Sequence, residues 1–405
     1  MAYGLLGRKL GHSWSPAIHA ELGSVPYGLY EVEPEGVGRF LQETDLTAMN
    51  VTIPYKKDVI PFCAKLSETA KKLGSVNTLV KKADGWHGDN TDYYGFTYMA
   101  EQSGIQIKGR KCLVLGSGGA GATVVQALKD LQAKSVTVIS RSGEDNYENL
   151  DRHADADVIV NATPVGMYPA SGAAPVNLEQ FPRCSGVLDL ISNPCRTALL
   201  MDAEKRGILH ADGLTMLVAQ AKRAAELFMD KTIADSEIGR ITKGLRKKMV
   251  NIVLIGMPGC GKSTVAKALS EELGMEMIDA DNEIANTALA SIPQIFAAGG
   301  ETAFRKIETE VLEVLGKRTG IILATGGGCV TKERNYPLLH QNGIIVWLKR
   351  EIDDLPTEGR PLSQSADLKE MYRIRKPLYE RFADVAVDNT GTVEETVKAI
   401  KEAIQ

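Results

Sequence analysis

No C-x-x-C pair occurs in the chain. The six cysteines (Cys63, Cys112, Cys184, Cys195, Cys260 and Cys329) are scattered, which excludes a zinc ribbon or dithiol motif and suits a reducing cytoplasm. The six histidines show no metal-ligand spacing either. No apolar run approaches the roughly 18 residues that span a bilayer, so no membrane partner is expected. The opening stretch is broken by Arg8, Lys9 and His12 and lacks the apolar core of a signal peptide. Repeats and Gly/Ser- or Pro-rich linkers are absent. Nor is one charge in excess. The 47 basic and 51 acidic residues give −4 overall, with 29 against 28 up to Lys248 and 18 against 23 beyond it. Neither part has the basic surplus that binding to a nucleic-acid backbone needs.

What is present is an ordinary globular balance, 44% hydrophobic and 24% charged, over 405 residues. At about 150 residues per domain that is roughly 2.7 domains, with apolar surface for more than one core. Short apolar runs alternate with helical stretches throughout, the pattern of α/β folds with parallel sheets. Lys111 to Leu115 precedes a helix from Gly119, and Asn251 to Ile255 precedes one from Lys262. Each strand runs directly into a glycine-rich turn, where α/β folds bind phosphates. A charged helical stretch ending at Gly244–Met249 marks the main boundary, and Gly109-Arg110-Lys111 marks a weaker one.

Gly256-Met257-Pro258-Gly259-Cys260-Gly261-Lys262-Ser263-Thr264 fits G-x-x-x-x-G-K-[ST], a loop whose backbone N–H groups wrap nucleotide phosphates. Lys262 offsets their charge and the Ser263 hydroxyl suits Mg²⁺. Chance supplies about 0.03 such matches in a chain of this length. Downstream come Asp279-Ala280-Asp281, Gly300-Glu301 with Phe304-Arg305 and Glu308, Thr325-Gly326-Gly327-Gly328, Arg360-Pro361-Leu362, and Arg375-Lys376-Pro377-Leu378-Tyr379. In this order, across nearly all of Met249 to Gln405, they resemble shikimate kinase. The resemblance implies that Asp281 positions and helps deprotonate the acceptor hydroxyl, and that Asp279 supports the Mg²⁺ shell. It implies that Arg305 and Arg375 grip a carboxylate, that Gly327 admits the substrate ring, and that Arg360 sits on a lid over the transferring phosphoryl. Two arginines facing one carboxylate can each form a forked, charge-assisted pair. One departure stands out: Pro356-Thr357 replaces the Arg-Thr often found there.

Gly116-Ser117-Gly118-Gly119-Ala120-Gly121 matches G-x-G-x-x-G between a strand and a helix, a pattern that chance alone supplies about 0.7 times in such a chain. The next strand, Ser135 to Ile139, ends in Ser140-Arg141-Ser142. An arginine at that tip suits a 2′-phosphate and favours NADP over NAD, with Glu144 and Asp145 close by. Upstream, Ser13 and Ser15 precede a helix expected from Pro16, where they can bind a carboxylate or simply cap the helix. Asn50-Val51-Thr52-Ile53-Pro54-Tyr55-Lys56, Ser75-Val76-Asn77-Thr78-Leu79, Gly88-Asp89-Asn90-Thr91-Asp92, Asn161-Ala162-Thr163 and Asp212-Gly213-Leu214-Thr215-Met216-Leu217, followed by Gln220, complete an ordered set. Across residues 1–248 that set resembles shikimate dehydrogenase.

This second resemblance implies a catalytic pair of Lys56 and Asp92, with Ser13, Ser15, Thr52, Asn77 and Gln220 holding the substrate. Gly116–Gly121, Ser140, Arg141, Thr163 and Gly213 would then serve the cofactor, as Gly256, Gly259, Cys260, Gly261, Lys262, Ser263 and Thr264 would serve ATP. Ketone reduction needs hydride on carbon and a proton on oxygen, and Lys56 is the natural donor. Two further departures are the short Ser142–Asp157 segment, which predicts a missing helix or strand, and Ser192 in place of a common tyrosine.

The two families catalyse consecutive steps, reduction of 3-dehydroshikimate and phosphorylation of shikimate. The expectation is therefore a bifunctional enzyme using NADP(H), ATP and Mg²⁺. Its architecture would be an α/β substrate domain over 1–108 completed by helices over about 212–246, a Rossmann-type domain over 109–211, and a P-loop domain over 249–405. Two alternatives remain at this stage: a metabolite-sensing regulator that kept both folds, and an active kinase beside a binding-only dehydrogenase half.

Overall fold

The computed structural model describes residues 2–11, 13–355 and 368–404. Its chain divides into two units: Met1–Met167, Ala173–Ser192 and Leu199–Leu245 form one, and Tyr168–Gly172, Asn193–Ala198 and Arg246–Gln405 form the other.

The first unit holds two sheets. Strands β1 (Tyr3–Gly7), β2 (Tyr27–Glu31), β3 (Ala48–Val51), β4 (Cys63–Leu66), β5 (Thr78–Lys82) and β6 (Gly85–Asp89) line up in the order β2-β1-β3-β5-β6-β4. β5 runs antiparallel to β3 and β6, while the other pairs are parallel. β1 and β3 are buried at every position, which is why their sequences read as continuous runs without polar alternation. Helices α1 (Ser15–Leu22), α2 (Val37–Glu43), α3 (Glu68–Leu73) and α4 (Asp92–Gln102) follow these strands.

The second sheet is wholly parallel: β7 (Lys111–Leu115), β8 (Ser135–Ile139), β9 (Val158–Asn161), β10 (Gly186–Asp189) and β11 (Leu209–Ala211), in the order β11-β10-β9-β7-β8. α5 (Gly119–Asp130) buries Val124, Ala127 and Leu128, one helical face, onto that sheet. Burial of Val124 and Leu128 contributes about 1.5–3 kcal/mol each. α6 (Ala198–Lys205), α7 (Leu214–Met229) and α8 (Ser236–Met249) complete this half of the sequence. Between β8 and β9 only a single turn of 3₁₀-helix, Leu150–His153, is formed. The shortfall expected from Ser142–Asp157 is thus real. β8 becomes the sheet edge where a full doubly wound sheet carries another strand, and Leu150 and Ala156 close the core over Leu113, Leu115 and Ile139.

The second unit is built on β12 (Asn251–Ile255), β13 (Glu276–Asp279), β14 (Ile321–Ala324), β15 (Gly343–Lys349) and β16 (Val385–Asp388), all parallel, in the order β13-β14-β12-β15-β16. Helices α9 (Lys262–Leu273), α10 (Ala280–Ala288), α11 (Ile292–Leu315), α12 (Asn335–His340), α13 (Leu368–Phe382) and α14 (Val393–Ala403) enclose it. Thr392 and Glu395 form a reciprocal capping box that starts α14. Trp347 is buried in β15 and stacks on Tyr379, ring centroids 5.8 Å apart. Cys195 and Arg196, which follow β10 in sequence, are held inside this unit. The Arg196 N–H donates to the Gln341 carbonyl at 2.8 Å, its guanidinium donates to the carbonyls of His340 and Gly343, and the Cys195 N–H donates to Asn342 Oδ1.

Candidate active sites

In the first sheet, β1 and β3 are parallel, and β5 opposes β3 with Asn50 facing Thr78. β6 ends at Asp89 opposite Thr78. The residues after β1 and β3, those before β5 and those after β6 therefore leave the same end of the sheet. That topology gathers Ser13 and Ser15, Thr52 and Lys56, Asn77, and Asp92 from segments far apart in sequence.

Lys56 Nζ donates to Asp92 Oδ2 at 2.6 Å, and their side chains are 21% and 13% exposed. This pair is desolvated enough to be held firmly yet still open to a ligand. Asn77 Oδ1 accepts from the Thr91 N–H at 2.7 Å, and Asn77 Nδ2 donates to Thr91 Oγ1 at 3.0 Å. Thr91 Oγ1 in turn reaches Gln220 Oε1 on α7 at 3.4 Å. The Ser15 N–H donates to Ser13 Oγ at 3.2 Å at the start of α1, which begins at Ser15, one residue before the expected Pro16. Thr52 follows β3 and donates its N–H to the Leu6 carbonyl at 2.9 Å.

Gly116–Gly121 turns from β7 into α5. Gly116 has φ +105°, and a Cβ on Gly121 would lie 2.1 Å from the Gly116 carbonyl oxygen, so a side chain there would push the helix off the turn. The Gly116 N–H donates to the Ile139 carbonyl at 2.8 Å, which sets Ser140 and Arg141 beside the turn. Arg141 is exposed and has no ion-pair partner among the described residues; Asp145 is paired instead with His153 at 2.7 Å. Thr163 Oγ1 donates to Asn161 Oδ1 at 2.7 Å across from Gly116, and Gly213 precedes α7 against the Leu190 carbonyl.

In the second unit, the loop from Gly256 to Gly261 joins β12 to α9 and carries positive φ at Gly256, Gly259 and Gly261. Lys262 is buried, and its Nζ donates to the carbonyls of Gly256 and Met257 at 3.0 Å each. The Cys260 carbonyl accepts from Asn389 Nδ2 at 2.6 Å. Thr264 follows Ser263 in the first turn of α9. Ser263 Oγ donates to Asp279 Oδ2 at 2.6 Å, while Asp279 Oδ1 caps α10 by accepting the Asp281 N–H. A hydroxyl and a carboxylate side by side at a phosphate loop fit a Mg²⁺ ion that takes its remaining ligands from phosphate and water. No group of three or more His, Cys, Asp and Glu side chains that could hold a metal occurs among the described residues.

A Cβ on Gly326 would lie 2.9 Å from both Asp281 Oδ1 and Glu308 Oε1, so the two carboxylates face one point. Arg305 is buried and bound to Glu308 at 2.7 Å and Glu301 at 3.1 Å. Burial pushes the Glu308 carboxyl up, against the pull of Arg305. Arg375 is also buried, and its Nη1 donates to the Gly327 carbonyl at 3.2 Å, an oxygen that also accepts from the Tyr379 hydroxyl. The Pro258 ring packs where a Gly327 side chain would stand, so this glycine lets the two loops meet. Glu308 lies in the sequence run noted above, but nothing in its spacing placed it opposite Asp281. Asn389, 129 residues from Cys260 in sequence, carries no motif signal. Arg360, Pro356 and Thr357 lie outside the described residues.

The family model described as shikimate kinase matches residues 258–405, and that described as the shikimate dehydrogenase substrate binding domain matches 5–79. The shikimate dehydrogenase (NADP(+)) of Clostridium beijerinckii is 34% identical over 262 residues, spanning 60% of this chain and 96% of that protein. A chorismate mutase/shikimate 5-dehydrogenase fusion protein from Clostridium acetobutylicum is similar in structure, with a TM-score of 0.58 at 39% identity over 61% of this chain and 97% of that one. The shikimate 5-dehydrogenase of Thermus thermophilus in complex with NADP(H) and shikimate gives 0.55 at 30% identity, over 60% and 99%. No helix among the described residues is long and apolar enough to cross a membrane. The chain belongs to the shikimate dehydrogenase family and carries a shikimate-kinase-family domain fused at its C-terminal end.

Proposed function

We propose that the chain reduces 3-dehydroshikimate to shikimate with NADPH in the first unit and phosphorylates shikimate with ATP in the second. The observation that carries the first step is the 2.6 Å pair of Lys56 and Asp92, partly exposed at one end of the first sheet. A nicotinamide bound at Gly116–Gly121 would supply the hydride for the carbonyl carbon. The Lys56 ammonium delivers the proton to the carbonyl oxygen, and its hydrogen bond to Asp92 aims it. Ser13 and Ser15 take the carboxylate, while Thr52, Asn77 and Gln220 take the ring hydroxyls. The unpaired Arg141 is free to meet a 2′-phosphate, which favours NADPH.

In the second unit, Asp281 accepts the proton of the attacking hydroxyl, and Arg305 and Arg375 hold the carboxylate. Lys262 exchanges its own loop carbonyls for phosphate oxygens, so its charge is already in place when nucleotide enters. Ser263 and Asp279 would hold Mg²⁺, which would supply positive charge against the nucleotide phosphates. A coupled assay on the intact chain tests both halves. NADPH absorbance falls when 3-dehydroshikimate is added, and ADP appears when shikimate is added with ATP and Mg²⁺. Failure of either signal removes that half of the proposal.

A further inference from the structure

The phosphate loop of the second unit has a different neighbour on each side. In the strand order β13-β14-β12-β15-β16, β12 lies between β14 and β15. On the β14 side stand Asp279, Asp281 and Gly326, where the proposed reaction places Mg²⁺ and the attacking hydroxyl. On the other side, the end of β15 lies against the loop. The Leu348 carbonyl oxygen is 2.6 Å from where a Cβ on Gly256 would stand. The Asn389 N–H donates to the Lys349 carbonyl at 2.7 Å, and Asn389 Nδ2 donates to the Cys260 carbonyl at 2.6 Å. Asn389 Oδ1 accepts from Thr396 Oγ1 at 2.7 Å, so the amide cannot turn over without losing both side-chain bonds. This buried asparagine ties the last residue of β15 to the loop.

Arg350 is the next residue, and the proposed reaction does not use it. It is partly buried, and its Nη1 lies 4.0 Å from where a Cβ on Gly261, the residue before Lys262, would stand. Its Nε is buried with no hydrogen-bond partner, and its guanidinium forms no ion pair with any described residue. The neighbouring cations are engaged elsewhere. Lys262 Nζ is bound to the carbonyls of Gly256 and Met257, and Lys349 Nζ lies over the Trp347 ring at 5.1 Å. A guanidinium is always charged and presents a planar fork of N–H donors. Here it stands beside the first turn of α9, the positive end of that helix, where a cation without an anion is disfavoured. A phosphate between Gly261 and Arg350 would satisfy the guanidinium and the helix end together.

We propose that Arg350 is a nucleotide-binding residue of the second unit that holds the α-phosphate of ATP and ADP. The side of the loop on which it stands decides which phosphate it meets. Asp281 and the pair of Ser263 and Asp279 mark the end from which the γ-phosphoryl group leaves, toward β13 and β14. Lys262 lies within the loop itself. β15 borders the opposite side, so its cation meets the phosphate joined to the nucleoside. That phosphate is not the one transferred, so Arg350 binds the nucleotide equally before and during transfer, which lowers KM without raising kcat. The inference rests on the second unit being the kinase proposed above.

Calorimetric titration of the full chain with ADP and Mg²⁺, beside steady-state phosphorylation of shikimate, tests it. Arg350→Gln should raise the ADP dissociation constant and the KM for ATP about tenfold each, with kcat and the KM for shikimate within about twofold. Arg350→Lys, which restores a point charge, should return both to within about threefold of the parent. Arg350→Met keeps the packed stem and reads the same ratios if Arg350→Gln does not fold. An unchanged ADP dissociation constant, a fall in kcat at unchanged KM for ATP, or a loss that lysine does not repair overturns the assignment of Arg350 with the kinase reading intact. A parent chain that binds neither ADP nor ATP overturns the kinase reading and this assignment with it.

Discussion

The two glycine-rich loops of this chain differ in where they carry charge. Gly116–Gly121 contains no charged residue, and Arg141 stands outside it at the tip of the next strand. Gly256–Thr264 has Lys262 within it, buried and folded onto the loop's own carbonyls. A loop that only holds an intact pyrophosphate can rely on backbone N–H groups and the helix dipole, leaving its cation to discriminate between cofactors. A loop from which a phosphoryl group departs must meet growing charge on the bridging oxygen, so its cation belongs inside. On the proposed function, the position of the positive charge, more than the glycine count, separates binding from transfer.

The sharpest way to break this contrast is Lys262→Met, which removes the interior cation while the glycine backbone is kept. Phosphorylation should fall about a hundred- to a thousand-fold, with NADPH-dependent reduction unchanged, as measured by ADP release and NADPH absorbance on one preparation. A smaller drop would mean the backbone suffices in both loops. Next in size is Arg141→Ala. Losing the rim cation should raise KM for NADPH about ten- to a hundred-fold and leave KM for NADH nearly unchanged. Equal losses for both cofactors would assign Arg141 to the pyrophosphate and erase the difference.

The smallest expected effect lies away from both loops and reports on the first unit alone. The folded state protonates His19 only near pH 3, whereas an unfolded histidine does so near 6.5. Below 6.5 the unfolded chain binds the extra proton, so this contribution is complete above pH 6.5 and is lost as the pH falls toward 3. At pH 5.5 the loss is about 1.4 kcal/mol. His19→Phe should remove it, seen as a shallower drop in unfolding free energy between pH 7 and pH 5.5 in urea. An unaltered drop would show that His19 titrates normally.

Local spacing carried much of the site. Lys56 follows β3 by five residues and Asp92 follows β6 by three, so a strand-and-turn reading already brings each to a strand end. Both glycine loops sit between a strand and a helix whose limits the sequence marks with buried apolar runs. The rest depends on distant segments meeting. Asn389 supports the Cys260 carbonyl, Tyr379 and Arg375 share the Gly327 oxygen, and Tyr27 reaches Asn50 across the strand order β2-β1-β3. No periodicity encodes those meetings, because each follows from which strands become neighbours. Cys195 and Arg196 are a further case: their sequence context belongs to β10, and their hydrogen bonds belong to the second unit. The short Ser142–Asp157 segment was readable as a deletion, but only the sheet order shows that it leaves β8 as an edge.

The central claim is that one polypeptide holds two chemically independent sites. Lys56→Ala and Asp281→Asn chains, each assayed alone and then mixed, test it most directly. The account predicts that Lys56→Ala reduces no 3-dehydroshikimate yet phosphorylates shikimate within about twofold of the parent, that Asp281→Asn does the opposite, and that the mixture with NADPH, ATP and Mg²⁺ carries 3-dehydroshikimate through to phosphorylated shikimate. A folded variant in which either single substitution silences both reactions would contradict it.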